Sequence, residues 1–145
     1  MSGPVCVDAS LFLSIVFDDP HQATASRLWE EWLSAGTQLV APPLFYAEIT
    51  SVIRLSSHRG ELSPLATHEI LSAGLSSPVE IWQDSRALQP RAFDLAARFG
   101  QPRAYDAQYL AVAELLGGEL WTVDRRLVNS VSSQLPWVHH VGEAA

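Results

Sequence analysis

The sequence predicts an α/β protein with three α/β/α layers around a mainly parallel central sheet. Short apolar runs rich in β-branched residues alternate along the chain with longer segments of helical periodicity, the order in which parallel strands and their crossover helices occur. Hydrophobic residues make up 48% of the 145 residues and are spread over the whole length, which argues against disorder. Because no linker, repeat or low-complexity tract interrupts this pattern, we expect one domain over residues 1–145.

Each element follows from a local pattern of apolar and turn-forming residues. The strands are predicted at 4–7, 37–41, 79–82, 119–123 and 137–141, and the helices at 9–17, 19–36, 42–57, 63–74, 86–99, 105–116 and 125–131. The pair Asp19-Pro20 is typical of a helix cap followed by a first turn. Gly36 and Gly74 are predicted to end helices, since glycine is common just after the last helical turn.

The charge composition excludes several classes of function. The formal net charge of −7 argues against a simple basic clamp for nucleic acids. All nine basic residues are Arg, so a P-loop lysine, a Schiff-base lysine and a lysine partner for a phosphorylated aspartate are excluded. An aspartate-nucleophile phosphatase or phosphoacceptor domain is therefore disfavoured.

The N-terminal segment and the cysteine content indicate a cellular compartment. Cys6 is the single cysteine, so no internal disulfide can form, and its apolar neighbours place it in the core. Asp8 interrupts the N-terminal apolar stretch, which argues against a signal peptide. No apolar run approaches the roughly 18 residues of a membrane span. We therefore expect a soluble, cytoplasmic protein with no membrane partner.

Four acids stand at the edges of apolar stretches, in "VCVDAS", "LFYAEITSVI", "RAYDAQYL" and "LWTVD": Asp8, Glu48, Asp106 and Asp124. Asp8 and Asp124 lie at the carboxyl ends of predicted strands, where open parallel sheets bind ligands. Asp8, Asp106 and Asp124 also precede or begin predicted helices. N-capping is therefore the alternative interpretation for each of the three.

Glu48 cannot be a cap, because it lies well inside a predicted helix. Its apolar neighbours on one helical face are Phe45, Val52 and Leu55. Asp106 has a similar stripe, formed by Leu110 and Ala113. Acids in such stripes need an Arg partner, protons or a cation, and two strand-end aspartates make a shared cation the simplest interpretation. Oxygen-only ligation favours Mg²⁺ or Mn²⁺ over zinc.

Two hydroxyl residues and the histidines complete the list of candidates. Ser10, two residues after Asp8, can orient a carboxylate or a metal-bound water, and Thr122 can do the same for Asp124; local hydrogen bonding is the alternative for both. The histidines show no zinc-ligand spacing with Cys6 and are interpreted as structural or surface residues; they are His21, His58, His68, His139 and His140.

The segments "VDAS", "AEITSVIR", "HRGELS" and "YDAQYLAVAELLGGELWTVDRRL" resemble the PIN domain family, particularly the VapC-type toxin ribonucleases of type II toxin–antitoxin systems. The resemblance runs from the first strand to "WVHHV". It implies a PIN-like α/β/α fold and an acid cluster that binds Mg²⁺ or Mn²⁺. Asp8, Glu48, Asp106 and Asp124 match the family's four acids, and Ser10 matches the polar position after the first of them. It also implies an RNA substrate, a small antitoxin partner and a homodimer.

We therefore expect a metal-dependent endoribonuclease that hydrolyses RNA phosphodiester bonds with all four acids, and Asp8 and Asp106 are the strongest ligand candidates. Because activated water attacks, the products should carry 5′-phosphate and 3′-hydroxyl ends. Candidates for contacts with the RNA backbone are Arg103, Arg125 and Arg126. The helices around 42–57 and 63–74 are the expected self-interface. The alternatives are an RNA-processing or DNA-cleaving PIN nuclease without an antitoxin, and a noncatalytic PIN-like binding module.

Overall fold

The computed structural model of the protein describes residues 3–145, which contain five strands, seven α-helices and a C-terminal 3₁₀ helix. The strands are β1 (Val5–Val7), β2 (Leu39–Ala41), β3 (Glu80–Ile81), β4 (Glu119–Thr122) and β5 (Val138–His140). The helices are α1 (Ala9–Val16), α2 (Gln22–Ser34), α3 (Leu44–His58), α4 (Pro64–Leu75), α5 (Ser85–Arg98), α6 (Tyr105–Leu116) and α7 (Arg125–Val131), and the 3₁₀ helix spans Val141–Ala144. None of the described helices is long and apolar enough to cross a membrane.

The five strands form one parallel sheet in the order β3-β2-β1-β4-β5. At its centre, Cys6 of β1 is fully buried and pairs with Val40 on one side and Leu120 on the other. Strands buried on both faces have continuous apolar sequences instead of alternating ones, which explains why the short apolar runs mark the strands. The three-layer α/β/α fold predicted from the sequence is confirmed.

The order of the strands changes direction between β1 and β4. From β1 the chain adds β2 and then β3 on one side, and it returns to add β4 and β5 on the other. Ligands of open α/β sheets bind beyond the carboxyl ends of the strands at such a switch point. Asp8 directly follows β1, and Asp124 follows β4 by one residue. The topology therefore brings together two acids that are far apart in sequence.

Helix α6 lies against the centre of the sheet and is covered on its outer side by α5. Its residues from Ala107 to Ala113 are buried almost without interruption. A helix that is apolar around most of its circumference is expected where two layers cover it. The first turn of α6, at Tyr105 and Asp106, projects from this covered part and is exposed.

Two predicted helix boundaries are wrong. Helix α2 begins at Gln22 instead of Asp19-Pro20, and the Asp19 carboxylate closes a turn just before it by accepting a hydrogen bond from the His21 N–H (2.7 Å). Gly74 does not end α4 but lies buried inside it. A Cβ at Gly74 would lie 3.2 Å from Ile49 Cγ2, so glycine here permits the close packing of α4 on α3.

The C-terminal segment is tied to the end of β4 by a buried imidazole. His140 Nε2 lies 3.1 Å from the Val123 carbonyl oxygen, and its Nδ1 accepts a hydrogen bond from the Gly142 N–H (2.8 Å). The Arg125 guanidinium also lies 3.0 Å from Nδ1. His140 therefore stabilises the loop that carries Asp124.

Candidate active site

Asp8 occupies the turn between β1 and α1, and its side chain is held by two hydroxyl groups. Although it stands at the N-cap of α1, it makes no capping hydrogen bond. Its Oδ2 accepts hydrogen bonds from Thr122 Oγ1 (2.6 Å) and Ser10 Oγ (2.9 Å). Both hydroxyls bond the same oxygen, which leaves Oδ1 as the oxygen that can bind a ligand. Burial raises the pKa of Asp8 against these two hydrogen bonds, and repulsion from Asp106 adds to the rise.

Thr122 connects the two strand-end acids. Besides donating to Asp8, its Oγ1 accepts the backbone N–H of Asp124 at 2.9 Å. Ser10 Oγ similarly accepts the N–H of Val123 at 3.2 Å. Thr122 thus contacts the Asp124 backbone and the Asp8 carboxylate, whereas the sequence suggested a role beside the Asp124 side chain. The two hydroxyls fix the Asp8 carboxylate relative to the loop after β4.

Glu48 reaches the site from α3 and is half-buried. Its Oε1 accepts a hydrogen bond from the hydroxyl of Tyr109 on α6 (2.5 Å), and Tyr109 itself is only 1% exposed. Burial raises the pKa of Glu48, the Tyr109 hydrogen bond opposes the rise, and repulsion from Asp8 and Asp106 adds to it. The hydroxyl of Tyr109 therefore orients one oxygen of Glu48. The negative charges of Asp8 and Asp106 repel the carboxylate as a whole.

The apolar stripe predicted around Glu48 is only partly correct. Phe45 is fully buried, but Val52 and Leu55 are 39% and 46% exposed. The buried face of α3 consists of Phe45, Ile49 and Ile53. Residues three and four apart lie on one side of a helix. The predicted residues Val52 and Leu55 lie on the exposed face next to the buried one. Glu48 lies at the border between the buried face and the exposed apolar one.

Asp106 and Asp124 stand at the beginnings of two helices, and only Asp124 is a cap. Asp124 Oδ1 accepts the N–H of Leu127 at 3.1 Å, which leaves its other oxygen free of the cap. Asp106 lies in the first turn of α6, exposed to solvent, above the buried residues that the sequence indicated. Partial burial raises the pKa of Asp106, Asp124 adds repulsion and Arg126 opposes it. Each of the four acids therefore repels at least one of the others.

A cleft of about 540 Å³ opens beside these acids. Glu48 and Asp106 line it together with two of the three arginines proposed for substrate contacts, Arg103 and Arg126. The third, Arg125, instead contacts the buried His140. Two guanidinium groups thus lie at the cleft beside two carboxylates, although the chain as a whole is acidic. The cleft has the charge that a phosphate group needs next to an acid cluster.

Two tyrosines of the site were not identified from the sequence. Tyr109 is buried with its hydroxyl on Glu48, and Tyr105 is 55% exposed at the cleft beside Asp106. A phenol within an apolar helix needs a hydrogen-bond partner when buried, and this rule indicates that Tyr109 has a polar neighbour. It does not indicate which one, because Glu48 lies 61 residues away in sequence.

The chemistry of the donor set fits a hard divalent cation. In residues 3–145, no group of three or more His, Cys, Asp or Glu side chains is already arranged to hold a metal ion. The four acids nevertheless offer only carboxylate oxygens, which suit Mg²⁺ or Mn²⁺ better than zinc. Asp8, Glu48 and Asp106 all have a raised pKa, from burial and from repulsion by other acids. A shared divalent cation would offset both effects.

Comparison with known proteins identifies a family. The model of the PIN domain matches residues 5–130, the span that contains all four acids. Among curated proteins, none matches the sequence significantly. Because the family match covers most of the chain, it confirms the resemblance that the sequence motifs carry.

Solved structures share this fold at low sequence identity. PAE2754 from Pyrobaculum aerophilum is 21% identical, with a TM-score of 0.70 over 97% of this chain and 85% of that one. A toxin–antitoxin complex from Klebsiella pneumoniae is 20% identical, with a TM-score of 0.62 over 94% and 97%. VapC20 from Mycobacterium tuberculosis, a sarcin–ricin loop cleaving toxin, is 18% identical, with a TM-score of 0.64 over 88% and 95%. With the likeness of fold and the family match in agreement, the chain belongs to the PIN domain family.

Proposed function

We propose that the protein is a Mg²⁺- or Mn²⁺-dependent endoribonuclease whose single nuclease domain spans residues 1–145. The observation that best supports this proposal is that Asp8 and Asp124 follow the carboxyl ends of two neighbouring parallel strands, while Glu48 and Asp106 line the adjacent cleft. Hydrolysis of a phosphodiester assisted by Mg²⁺ or Mn²⁺ uses such an oxygen-only site beside a surface that attracts phosphate. The arginine-lined cleft supplies that surface.

Each residue of the site has a definable role in this reaction. Asp8 and Asp106 are the proposed principal ligands, and Glu48 and Asp124 complete the set. A bound divalent cation supplies Lewis acidity, which favours ionisation of water and offsets charge on the phosphate. Ser10 and Thr122 orient Asp8. Because water is the nucleophile, we expect products with 5′-phosphate and 3′-hydroxyl ends.

The overall negative charge does not oppose this function. The formal net charge is −7, and the four acids account for −4 of it, which leaves −3 on the rest of the chain. The guanidinium groups of Arg103 and Arg126 lie at the cleft itself. Short-range attraction at the site therefore outweighs weaker, salt-screened repulsion from distant surface acids.

The proposal is tested with purified protein and single-stranded RNA. We expect cleavage with Mg²⁺ or Mn²⁺, loss of cleavage with EDTA, and a loss of most activity in Asp8→Asn. Asp94→Asn, which changes an exposed acid on α5, is the matched control and should cleave as the wild type does. Full activity of Asp8→Asn would overturn the site assignment. Metal binding without cleavage of any RNA would instead favour a noncatalytic binding module, and cleavage of DNA alone would favour a DNA nuclease.

We further propose that the protein is the toxin of a cytoplasmic toxin–antitoxin pair. Support comes from its fold, which is similar to that of VapC20 and of the Klebsiella pneumoniae toxin–antitoxin complex. A small antitoxin would cover the acidic cleft. A short neighbouring gene that encodes a DNA-binding segment and a tail would support this pairing, and an isolated gene would contradict it.

A homodimer is proposed through α3 and α4, where three large apolar side chains outside the acid-lined clefts are exposed: Leu55, Leu65 and Leu75. Light scattering at micromolar concentration should therefore give the mass of a dimer. Leu65→Asp should give a monomer, whereas Phe93→Asp, a change of an equally exposed residue on α5, should leave the dimer intact. A monomeric wild-type protein would contradict the proposed interface.

A further inference from the structure

Tyr105 stands on the wall between two clefts, and both clefts contain Glu48. The first is the arginine-lined cleft described above. The second, of about 330 Å³, lies between the first turn of α6 and the exposed face of α3, and it is lined by Leu44, Ala47, Glu48, Ser51, Val52 and Tyr105. More than half of the Tyr105 side chain is exposed. An exposed aromatic ring therefore lies next to the acid cluster and faces an apolar surface.

The two clefts differ in chemistry on the two sides of this ring. Arg103 and Arg126 line the first, and they suit the phosphate groups of a nucleic acid backbone. In the second, Glu48 is the one charged lining residue among those described, and Leu44 and Val52 provide an apolar surface. A nucleic acid strand that crosses the acids would thus place its phosphate groups beside the arginines of the first cleft. One of its bases would lie against the apolar surface of the second cleft.

We propose that the ring of Tyr105 is a stacking platform for one unpaired nucleobase of an RNA strand, with that base seated in the second cleft. The proposal rests on the function proposed above, and it adds a residue that positions the strand at the site. In a duplex both faces of a base are covered by its neighbours, whereas a base in a single strand can stack on an aromatic side chain. The site is therefore selective for single-stranded segments, and Tyr105 places the strand relative to the acids.

The test measures binding instead of cleavage. Fluorescence anisotropy is recorded with a labelled single-stranded RNA about 12 nucleotides long, in EDTA so that no cutting occurs. Tyr105→Ala should weaken binding about 5- to 150-fold, the range found when a base–aromatic stack is removed. Tyr105→Phe should bind as the wild type does, because the ring is retained. Phe93→Ala removes an even more exposed aromatic ring on α5 and should have no effect.

A set of RNAs with one abasic position each identifies the stacked base. In the wild type, one abasic position should weaken binding by the same factor as Tyr105→Ala, and in that variant the same position should have no further effect. A duplex of the same sequence should bind the wild type and Tyr105→Ala equally.

Two results would overturn the proposal. One is unchanged single-strand affinity in Tyr105→Ala, including the case in which this variant loses affinity for an antitoxin instead, since the second cleft would then take an apolar side chain of a partner. The other is equal weakening by Tyr105→Phe and Tyr105→Ala, which would assign the effect to the hydroxyl. Either result can occur while the wild type still cleaves RNA with Mg²⁺, so a failure of the subsite is separable from a failure of the nuclease function.

Discussion

Glu48 shows at the scale of a residue how the proposed chemistry conflicts with stability. Its pKa in the folded protein is raised above the ordinary value of 4.5 by burial and by the neighbouring acids Asp8 and Asp106. A raised carboxyl pKa means that folding favours the protonated form. The associated stability is complete below the ordinary pKa of 4.5 and is lost as the pH rises through the raised pKa. At neutral pH without metal, Glu48 should therefore destabilise the fold.

Glu48→Gln should raise the melting temperature of the metal-free protein at pH 7. Glutamine keeps the shape and can still accept the Tyr109 hydrogen bond, but it carries no charge. We expect a gain of roughly 2–4 °C, the shift that about 1 kcal/mol causes in a chain of this size. The gain should shrink as the pH falls through the raised pKa of Glu48, because the wild-type carboxyl is then protonated as well. Thermal melts across this pH range in metal-free buffer measure the difference.

Excess Mg²⁺ provides the second half of this test. A ligand that binds only the folded state raises its stability, so Mg²⁺ should raise the melting temperature of the wild type more than that of Glu48→Gln. Glu30→Gln, at an exposed acid on α2, is the control and should respond as the wild type does. If Glu48→Gln lowers the metal-free melting temperature, Glu48 is a structural hydrogen-bonding residue and lies outside the functional site.

Tyr109 is predicted to act by positioning Glu48. Tyr109→Phe removes only the hydroxyl that donates to Glu48 Oε1. We expect a cost to stability of about 1 kcal/mol and a fall in kcat of about tenfold, because a displaced catalytic group slows the reaction far more than it weakens binding. KM for RNA should stay nearly constant. Tyr46→Phe, at a partly buried tyrosine on α3, is the control, and an unchanged kcat in Tyr109→Phe would show that Tyr109 only packs.

The four acids could be found from the sequence because a lone carboxylate at the edge of an apolar run is conspicuous. Their partners could not be. The hydroxyl of Thr122 bonds Asp8, 114 residues away, and no local pattern encodes that contact. The capping interpretation was likewise open for three aspartates. Only the structure shows that Asp124 caps a helix and Asp8 does not.

At the scale of an element, local patterns predicted all described strands and α-helices. Buried β-branched runs mark the strands, and glycine and proline mark the turns between the elements. Errors of boundary arose where tertiary packing decides. Gly74 follows the pattern of a helix end, and α4 does end one residue after it, but the role of its missing side chain is to let the helix approach Ile49 and Phe12. A single sequence does not distinguish a glycine needed for a turn from one needed for close packing.

Gly117 and Gly118 are adjacent, but Gly117 is needed for a turn and Gly118 for close packing. Gly117 ends α6 with φ of 66°, and a Cβ there would meet open space. A Cβ at Gly118 would lie 2.1 Å from the Pro4 carbonyl oxygen, to which Glu119 N–H donates at the start of β4. Gly117→Ala should cost about 1 kcal/mol for the left-handed conformation, and Gly118→Ala about 3 kcal/mol, since backbone must move.

Chemical denaturation of the two glycine variants measures this difference. Because β1 and β4 carry Asp8 and Asp124 at their ends, Gly118→Ala should also reduce nuclease activity at temperatures where it remains folded, whereas Gly117→Ala should not. Equal losses of stability in the two variants would contradict the close approach of Gly118 to Pro4.

At the scale of the whole molecule, the function depends on the order of the strands. The sequence predicts a parallel sheet, but it does not state that β1 lies between β2 and β4. This order brings Asp8 and Asp124 to one edge and directs Arg126 to the cleft while Arg125 turns to His140. Long-range pairing of this kind is set by the global packing of the layers, and no local pattern in the sequence states the order of the strands.

We propose that four acids form one metal site, and calorimetric titration with Mn²⁺ tests this directly; the acids are Asp8, Glu48, Asp106 and Asp124. The wild type is compared with Asp8→Asn, Glu48→Gln, Asp106→Asn and Asp124→Asn, with Asp94→Asn as the control. The wild type and the control should bind Mn²⁺ equally, and Asp8→Asn and Asp106→Asn should weaken binding by at least about 10- to 100-fold, the loss typical even of residues that only support ligands. Glu48→Gln and Asp124→Asn should weaken it less. Wild-type affinity in both Asp8→Asn and Asp106→Asn would contradict a shared site.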